Sequence, residues 1–467
     1  MQKQKRPQDK GLKILIVGCG KVGETLVEQL IREGHDITVI DKRASKIQEI
    51  TNLHDVMGLV GNGASYSVQM EAGIENTDLI IAVTDSDELN LLCCTVAKRV
   101  GDCSAIARVR TPDYSREAGY LREKLGLAMI INPELETARE AAKILYLPSA
   151  LEVNSFAHGQ AEIVKFQVPE YNIIDGMTVM DFSRELHNKI LICAIERNGI
   201  VHIPSGASVI HSGDKISFIA SRKSARLFFE EIGYRKSQVK DTLIVGGGKA
   251  SFYLAKQLLG SGISVKIIEQ NRERCEELSI MLPKAIIING DGTDEETLKE
   301  VGIEQVDSFV PLTGIDEENI ILTLYAKKTS KAKVITKINR NSFKEVISQL
   351  DLGSVIYPKF VTSEAIIAYV RAKKNSMNSN IETLYHMFDS QVEAIEFRVE
   401  AKSELTNIPL AELSLKKELL VACISRKGQI IIPSGNDCIK PQDTVIIVTT
   451  HTGFHDITDI LSDRRNS

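Results

Sequence analysis

The sequence predicts an α/β protein that repeats itself: two doubly wound parallel-sheet domains, each followed by a small α+β domain. Three observations lead there. From Leu12 to Val109, apolar runs alternate with segments of helical periodicity, the pattern of a parallel sheet with crossover helices. From Ala150 to about Gly233 that alternation gives way to short strands separated by turn residues. At Asp241 the whole order begins again: Gly246 and Glu269 each stand 228 positions after Gly18 and Asp41, and Gly302, Thr313 and Pro433 stand 229 after Gly73, Thr84 and Pro204. A repeat this long points to a tandem duplication with domain pairing rather than to a solenoid, whose units run to a few tens of residues.

The first apolar run, Leu12 to Val17, suggests a strand buried on both faces. Val22, Leu26, Val27, Leu30 and Ile31 then recur at helical spacing and stop at Gly34, a plausible C-cap. A second strand, Ile37 to Ile40, ends in Asp41, and Gly58 to Val60, Leu79 to Val83 and Ala105 to Val109 bring the expected strands to five. After Asn132-Pro133 an amphipathic helix places Leu135, Ala138, Ala142 and Leu145 on one face and is ended by Pro148, as an inter-domain or dimer-forming helix would be.

In the small domain, Ile192 to Glu196 and Ile200 to Ile203 flank Asn198-Gly199 and read as a hairpin. Turns at Pro204-Ser205-Gly206 and Gly213-Asp214 precede a strand from Lys215 to Ala220, and Ile432 to Gly435 and Gln442-Asp443 repeat them in the second half. The expected boundaries are an arm at 1–10, a first sheet domain at 11–132, a connecting helix at 133–149 and a small domain at 150–234. The second set is 239–357, a helix and linker at 358–379, and 380–463.

At 467 residues the chain has room for about three or four domains with well-buried cores. Its 25% charged and 43% hydrophobic residues are an ordinary globular composition, and no apolar window reaches membrane-spanning length. A net charge of -5 argues against general nucleic-acid affinity. Met1 to Lys10 carry Lys3, Lys5, Arg6 and Lys10 without an apolar run, so this stretch reads as a solvated, disordered arm rather than a secretory signal; weak attraction to an anionic membrane surface is the alternative. The expected location is cytoplasmic. The eight cysteines include no C-x-x-C pair, which suits buried hydrophobes in a reducing compartment and not zinc ligands, with a redox role for Cys19 as the alternative.

Gly18-x-Gly20-x-x-Gly23, with Cys19, Lys21 and Val22 between, joins the first strand to the first helix. Glycines at this spacing permit a tight turn, close approach of backbone to phosphate oxygens, and close packing of helix on sheet, as in a Rossmann-like domain. Phosphates would sit at the helix N-terminus, and Asp41 can accept two hydrogen bonds from ribose hydroxyls. That carboxylate favours NAD over NADP, although Lys42 and Arg43 beside it weaken the inference. The second loop keeps Gly246, Gly248 and the acid Glu269, but Ser251 replaces the third glycine.

Gly61-Asn62-Gly63 and Gly290-Asp291-Gly292 follow the third strands and are placed to line the adenine side. Thr84-Asp85 and the residues after it either face the ligand or serve as ordinary helix caps. Arg108 and Arg110, expected on the fifth strand, point to one side under period-two geometry and read either as phosphate contacts or as solvated or salt-bridged side chains at a strand end; their counterparts are Lys337 and Asn339.

No nucleophile-base pair or metal-ligand spacing stands out. Tyr369 and Lys373 match a Tyr-x-x-x-Lys spacing that their first-half counterparts lack, so chance is the better explanation. His35, His158, His202, His211 and His386 have no acidic partners in sequence and read as surface or core residues.

From about Leu12 to Leu461 the chain resembles the Trk-type potassium uptake regulatory proteins of the TrkA family, built from tandem RCK (KTN) domains. The resemblance rests on Gly18 to Gly23 with Asp41, Gly61-Asn62-Gly63, the segment Val83 to Asn90, the segment Ala107 to Tyr114, and the Ile-Pro-Ser-Gly turns. Ser251 and the lysine-rich stretch Arg371 to Asn380 depart from the pattern. The resemblance implies a subunit on the cytoplasmic face of the membrane that docks on a membrane-embedded Trk-type potassium channel or transporter. It implies binding of NAD(H), competition by ATP or ADP, and a homo-oligomer, a tetrameric ring. The expected function is nucleotide-sensing gating without catalysis, in which Arg108 and Arg110 distinguish phosphate count. The competing readings are an NAD-dependent oxidoreductase with duplicated domains and a scaffold whose sheet domains stay empty.

Overall fold

The structure, a computed structural model, describes residues 11–112, 114, 117–147, 149–157, 160–186, 189–233, 239–340, 344–376, 381–388, 391–399, 403–454 and 456–462. The expected arm at Met1–Lys10, Pro148 and His158 lie outside them, as does the side chain of His386. Two compact units form, and they do not follow chain order. One joins Met1–Ala142 with Asp241–Ile367, and the other joins Lys143–Lys240 with Ala368–Ser467. Sheet domain pairs with sheet domain, and small domain with small domain.

In the first sheet domain the strands are β1 (Lys13–Val17), β2 (Asp36–Asp41), β3 (Met57–Val60), β4 (Leu79–Ala82), β5 (Ser104–Arg108) and β6 (Met129–Ile131). The helices are α1 (Lys21–Arg32), α2 (Ala44–Leu53), α3 (Tyr66–Glu71), α4 (Asp87–Val100), α5 (Ala118–Lys124) and α6 (Pro133–Tyr146). All neighbouring strands are parallel, in the order β3-β2-β1-β4-β5-β6. Ile14, Leu15 and Ile16 are all buried, as a central strand covered on both faces requires. The order reverses between β1 and β4, which opens a crevice beyond the carboxyl ends of those strands.

Two sequence expectations need adjusting. A sixth strand, Met129–Ile131, extends the expected five; three residues are too few to show a period against the apolar stretch before them. Arg110 lies past the end of β5 rather than on it. Gly34 does close α1 in the left-handed conformation, at φ 77°.

The second sheet domain repeats this plan through β12 (Asp241–Val245), β13 (Ser264–Glu269), β14 (Ile286–Asn289), β15 (Ser308–Pro311), β16 (Lys333–Lys337) and β17 (Ser354–Ile356), ordered β14-β13-β12-β15-β16-β17. The helices are α9 (Lys249–Gly260), α10 (Arg272–Met281), α11 (Glu295–Val301), α12 (Asp316–Thr329), α13 (Lys344–Gln349) and α14 (Pro358–Ser376).

The small domains are antiparallel. The first contains β7 (Glu152–Phe156), β8 (Ala161–Gln167), β9 (Leu191–Arg197), β10 (Ile200–His202) and β11 (Lys215–Ala220), ordered β10-β9-β11-β8-β7, with helices α7 (Val179–Glu185) and α8 (Arg222–Glu231). Asn198 and Gly199 connect β9 to β10 with φ of 53° and 79°, the positive pair that a tight hairpin turn demands. The second contains β18 (Ile381–Met387), β19 (Val392–Arg398), β20 (Leu419–Arg426), β21 (Gln429–Ile431) and β22 (Thr444–Thr449), with Lys427-Gly428 at the matching turn. One core draws on both: Phe156, Ile163, Cys193 and Ile219 pack with Phe388, Ala394, Cys423 and Ile446.

Candidate functional site

The first glycine loop is a backbone device. Gly18 adopts φ 104°, and its N–H donates to the Ile40 carbonyl oxygen at 2.8 Å, pinning the loop to β2. A Cβ on Gly23 would stand 2.0 Å from the Gly18 carbonyl oxygen, so only glycine lets α1 begin this close to the loop. Cys19 and Gly23 are buried and shape the loop without lining the space above it. Gly18, Gly20, Lys21 and Val22 do line it.

That space is a cleft of about 1300 Å³ over the carboxyl ends of β1, β2 and β4. Asp41 marks its β2 side, with Oδ2 accepting from Cys19 N–H at 2.8 Å and Oδ1 accepting from Arg43 N–H at 2.9 Å and Nε at 3.2 Å. Burial works to raise the Asp41 carboxyl, but the Arg43 guanidinium and the two N–H donors outweigh it and hold it below its ordinary value. The anionic acceptor that a ribose diol needs is therefore present. Cys19 responds oppositely: burial, then the Asp41 carboxylate, pushes its thiol up to about 12, which keeps it protonated and unlike a redox thiolate.

Gly61 and Asn62 line the cleft beside β3, and Thr84 and Asp85 line it beyond β4. The helix-cap reading of the Thr84 segment is met at Ser86, which caps α4 by accepting from Leu89 N–H at 3.1 Å. Buried Asn90 ties the segment down, accepting from Thr84 N–H at 2.8 Å and donating to the Arg108 carbonyl at 2.9 Å. Arg108 and Arg110 face the same side, as expected, and both line the cleft. Their Nη2 groups already donate to this loop: Arg108 to the Thr84 carbonyl and Asp85, Arg110 to the Asp85 carbonyl.

Several lining residues were not singled out from sequence. Lys46 bonds Glu24 and Glu49, each at 2.8 Å, and these contacts raise it to about 12. Glu134 opens α6 with Oε2 buried and without a hydrogen bond among the described residues; burial raises its carboxyl against the pull of Arg110 and Arg108. Asn339, Pro358 and Lys359 come from the second sheet domain. Tyr357-Pro358-Lys359 answers Asn132-Pro133-Glu134 at an offset of 225, off the 228 and 229 of the repeat, and spacing alone does not say which domains touch. They touch directly: Asn132 Nδ2 donates to Tyr253 Oη at 3.0 Å, and Tyr253 Oη donates to the Arg110 carbonyl at 3.3 Å.

Gly246, Gly248, Glu269 and Asp291 stand apart from this cleft, at the second loop. There Gly246 keeps φ 95° and its bond to the Ile268 carbonyl at 2.8 Å. Glu269 accepts from Gly247 N–H at 2.6 Å and Asn271 N–H at 2.7 Å. Ser251 is fully buried, with Oγ unpartnered among the described residues. Arg274 Nε donates to the Gly247 carbonyl at 2.8 Å, and Asp291 accepts from Thr293 in its own turn. Where the first half has Arg108, Lys337 donates to the Leu312 carbonyl at 3.1 Å, and burial lowers its pKa.

Comparison with known proteins agrees with this duplicated plan. The TrkA-N domain model matches residues 14–133 and 242–358, and the TrkA-C domain model matches 163–233 and 394–462. The Trk system potassium uptake protein TrkA homolog of Archaeoglobus fulgidus is 31% identical over 436 residues, covering 93% of this chain and 97% of that protein. The Trk system potassium uptake protein TrkA of Haemophilus influenzae is 31% identical over 440 residues, covering 93% and 95%. Among solved structures, the GsuK channel bound to NAD shares the fold at TM-score 0.62 and 17% identity, over 95% of this chain and 78% of that one. The GsuK RCK domain does so at TM-score 0.62, over 95% and 93%. The chain, with its two sheet domains and two small domains each matched in turn, belongs to the family of Trk system potassium uptake proteins TrkA.

Proposed function

We propose that this protein is a nucleotide-sensing regulatory subunit of a Trk-type potassium uptake system, working on the cytoplasmic face of the membrane as a homo-oligomeric, tetrameric ring. In this reading NAD(H), or ATP and ADP in competition with it, occupies the first sheet domain and shifts the gate of a membrane-embedded potassium channel or transporter. The observation that carries the proposal is that the cleft over Gly18 to Gly23 is lined also by Asn339, Pro358 and Lys359 of the second half. A ligand there touches both halves, so its affinity depends on how they are arranged. A nucleotide can shift a two-state assembly only through such differential affinity, and the gate then acts back on the nucleotide by the same coupling free energy. The family membership supports the potassium uptake system, and two fold relatives, the GsuK channel bound to NAD and GsuK bound to ADP, support the ligand class.

Calorimetric titration of the purified chain with NADH, ATP and ADP tests the reading, with Asp41→Ala and Glu269→Ala beside wild type. One site per chain is expected, weakened by about 10-fold or more in Asp41→Ala through loss of a charged hydrogen-bond acceptor and nearly unchanged in Glu269→Ala. Absence of binding by all three nucleotides overturns the proposal. Two sites per chain would extend sensing to the second half.

A further inference from the structure

We infer that Lys359, carried by the second half of the chain, is a specificity-determining residue of the first half's nucleotide site, contacting the end of a linear phosphate chain and so favouring a nucleoside triphosphate over a dinucleotide. The inference rests on the reading of the cleft as a nucleotide site. It starts from a charge that the fold leaves unanswered. Lys359 is the second residue of α14 and lines the same cleft as the glycine loop, within electrostatic reach of Lys21, Glu24 and Glu28 of α1. Among the described residues its ammonium has no hydrogen bond or ion pair; it lies over the ring of its neighbour Phe360 at 5.1 Å. The carboxylates of α1 that face it are engaged elsewhere, Glu24 by Lys46 at 2.8 Å and Glu28 by Arg32 at 2.7 Å. Lys21, the first residue of α1, adds a second positive charge on the facing wall. Burial, and then Lys21, lowers the Lys359 pKa, and the Glu24 and Glu28 carboxylates only partly offset them.

Apart from the exposed Lys42 next to Asp41, the other cations lining the cleft are already spent. Arg43 holds Asp41, Lys46 holds Glu24 and Glu49, and Arg108 and Arg110 hold the Thr84–Asp85 backbone. An anion entering the space between α1 and α14 therefore meets Lys21 and Lys359 as its uncommitted partners. A pyrophosphate seated on the Gly18–Gly23 loop would lie at the N-terminus of α1, where free N–H groups and the helix dipole receive it. What reaches Lys359 is the group beyond. In a triphosphate that group is a further phosphate with its full charge; in a dinucleotide it is a neutral ribose. Phosphate count would thus be read by a residue of the other half, which converts a difference in ligand into a difference in how strongly the halves are held together.

The test is an affinity ladder on the full-length chain, with AMP, ADP, ATP and NADH titrated against wild type, Lys359→Met and Lys359→Arg in a chelator buffer, so that no added metal neutralises the phosphates. Methionine keeps most of the aliphatic stem over Phe360 and removes the charge. Thermal melts of the three unliganded proteins check that folding is intact. Lys359→Met is expected to weaken ATP about 10-fold while AMP and NADH stay within about twofold, and Lys359→Arg is expected to restore most of the ATP affinity. An unchanged ladder in Lys359→Met, with wild type still binding nucleotide, overturns this inference and leaves the proposed function standing. No binding by wild type overturns both.

Discussion

A Cβ on Gly23 would fall 2.0 Å from the Gly18 carbonyl oxygen, whereas the equivalent position in the second loop holds Ser251, fully buried. Both loops keep a left-handed glycine after the first strand, the same bond from that glycine to the second strand, and an acid that binds the next N–H. A real Cβ fits in the second loop only if α9 stands off from its loop farther than α1 does. The frame of the nucleotide fold thus survives where its tightest contact has been released. The small domains teach the opposite lesson. Arg197 grips Asp214 through two bonds of 2.7 Å, and Arg426 grips Asp443 through bonds of 2.9 and 2.8 Å, each arginine also reaching a backbone carbonyl. Duplication has kept that device intact and let the loops diverge.

The contrast can be broken by substitution. Gly23→Ser, which copies the second loop into the first, is expected to cost on the order of 3 kcal/mol by overpacking against backbone and to abolish measurable nucleotide binding; denaturant melts and calorimetry check it. Tolerance of serine there would mean that the two loops are equally loose. Next in size, Asp214→Asn and Asp443→Asn should each destabilise by about 2 kcal/mol, since each leaves a guanidinium short of its charged acceptor. Equal losses would confirm that the small domains are matched where the sheet domains are not.

The pH dependence sharpens the same pair. Burial raises the Asp214 carboxyl, and Arg197 with the His211 N–H outweighs it, so the folded pKa lies below the usual value. Its stabilisation is therefore complete above the unfolded pKa of about 4 and is lost as pH falls through the lower folded pKa. Wild type melted across that acid range should lose stability that Asp214→Asn lacks at every pH. The smallest effect belongs to Ser251→Gly, within about 1 kcal/mol: it frees a buried hydroxyl of its desolvation and adds a glycine to a helix. A large loss would show Ser251 to be a packing requirement.

The repeat offset, the apolar runs and the Asn198-Gly199 turn made the four-domain plan legible, because each is a local pattern with one geometric meaning. Most of the first site was legible for the same reason: a glycine loop and the acid ending the next strand are neighbours in any parallel sheet of this order. The roles of Arg108 and Arg110 were less so. Period two placed them on one side, but only tertiary structure reveals that the loop beyond β4 already takes their Nη2 donors. Lys359 and Asn339 were hidden for a different reason, since they enter the cleft through the pairing of domains far apart in sequence. Cys19 is buried, as the reading of the cysteines as buried hydrophobes expected and the redox alternative did not.

The core shared by the small domains carries one more implication. In a dimer of identical chains, every substitution is installed on both sides of the symmetry axis at once, so a change that helps one side must also suit the other. Here Lys165 and Glu396 occupy equivalent strand positions and cross the junction by unrelated chemistry: Lys165 lies over the Phe388 ring at 4.0 Å, and Glu396 accepts from the Ala157 N–H at 2.8 Å. Covalent linkage makes the encounter intramolecular, independent of dilution, and free of the penalty for breaking symmetry. Each half can then specialise alone, which is the evolutionary latitude that an assembly of single-repeat chains does not have.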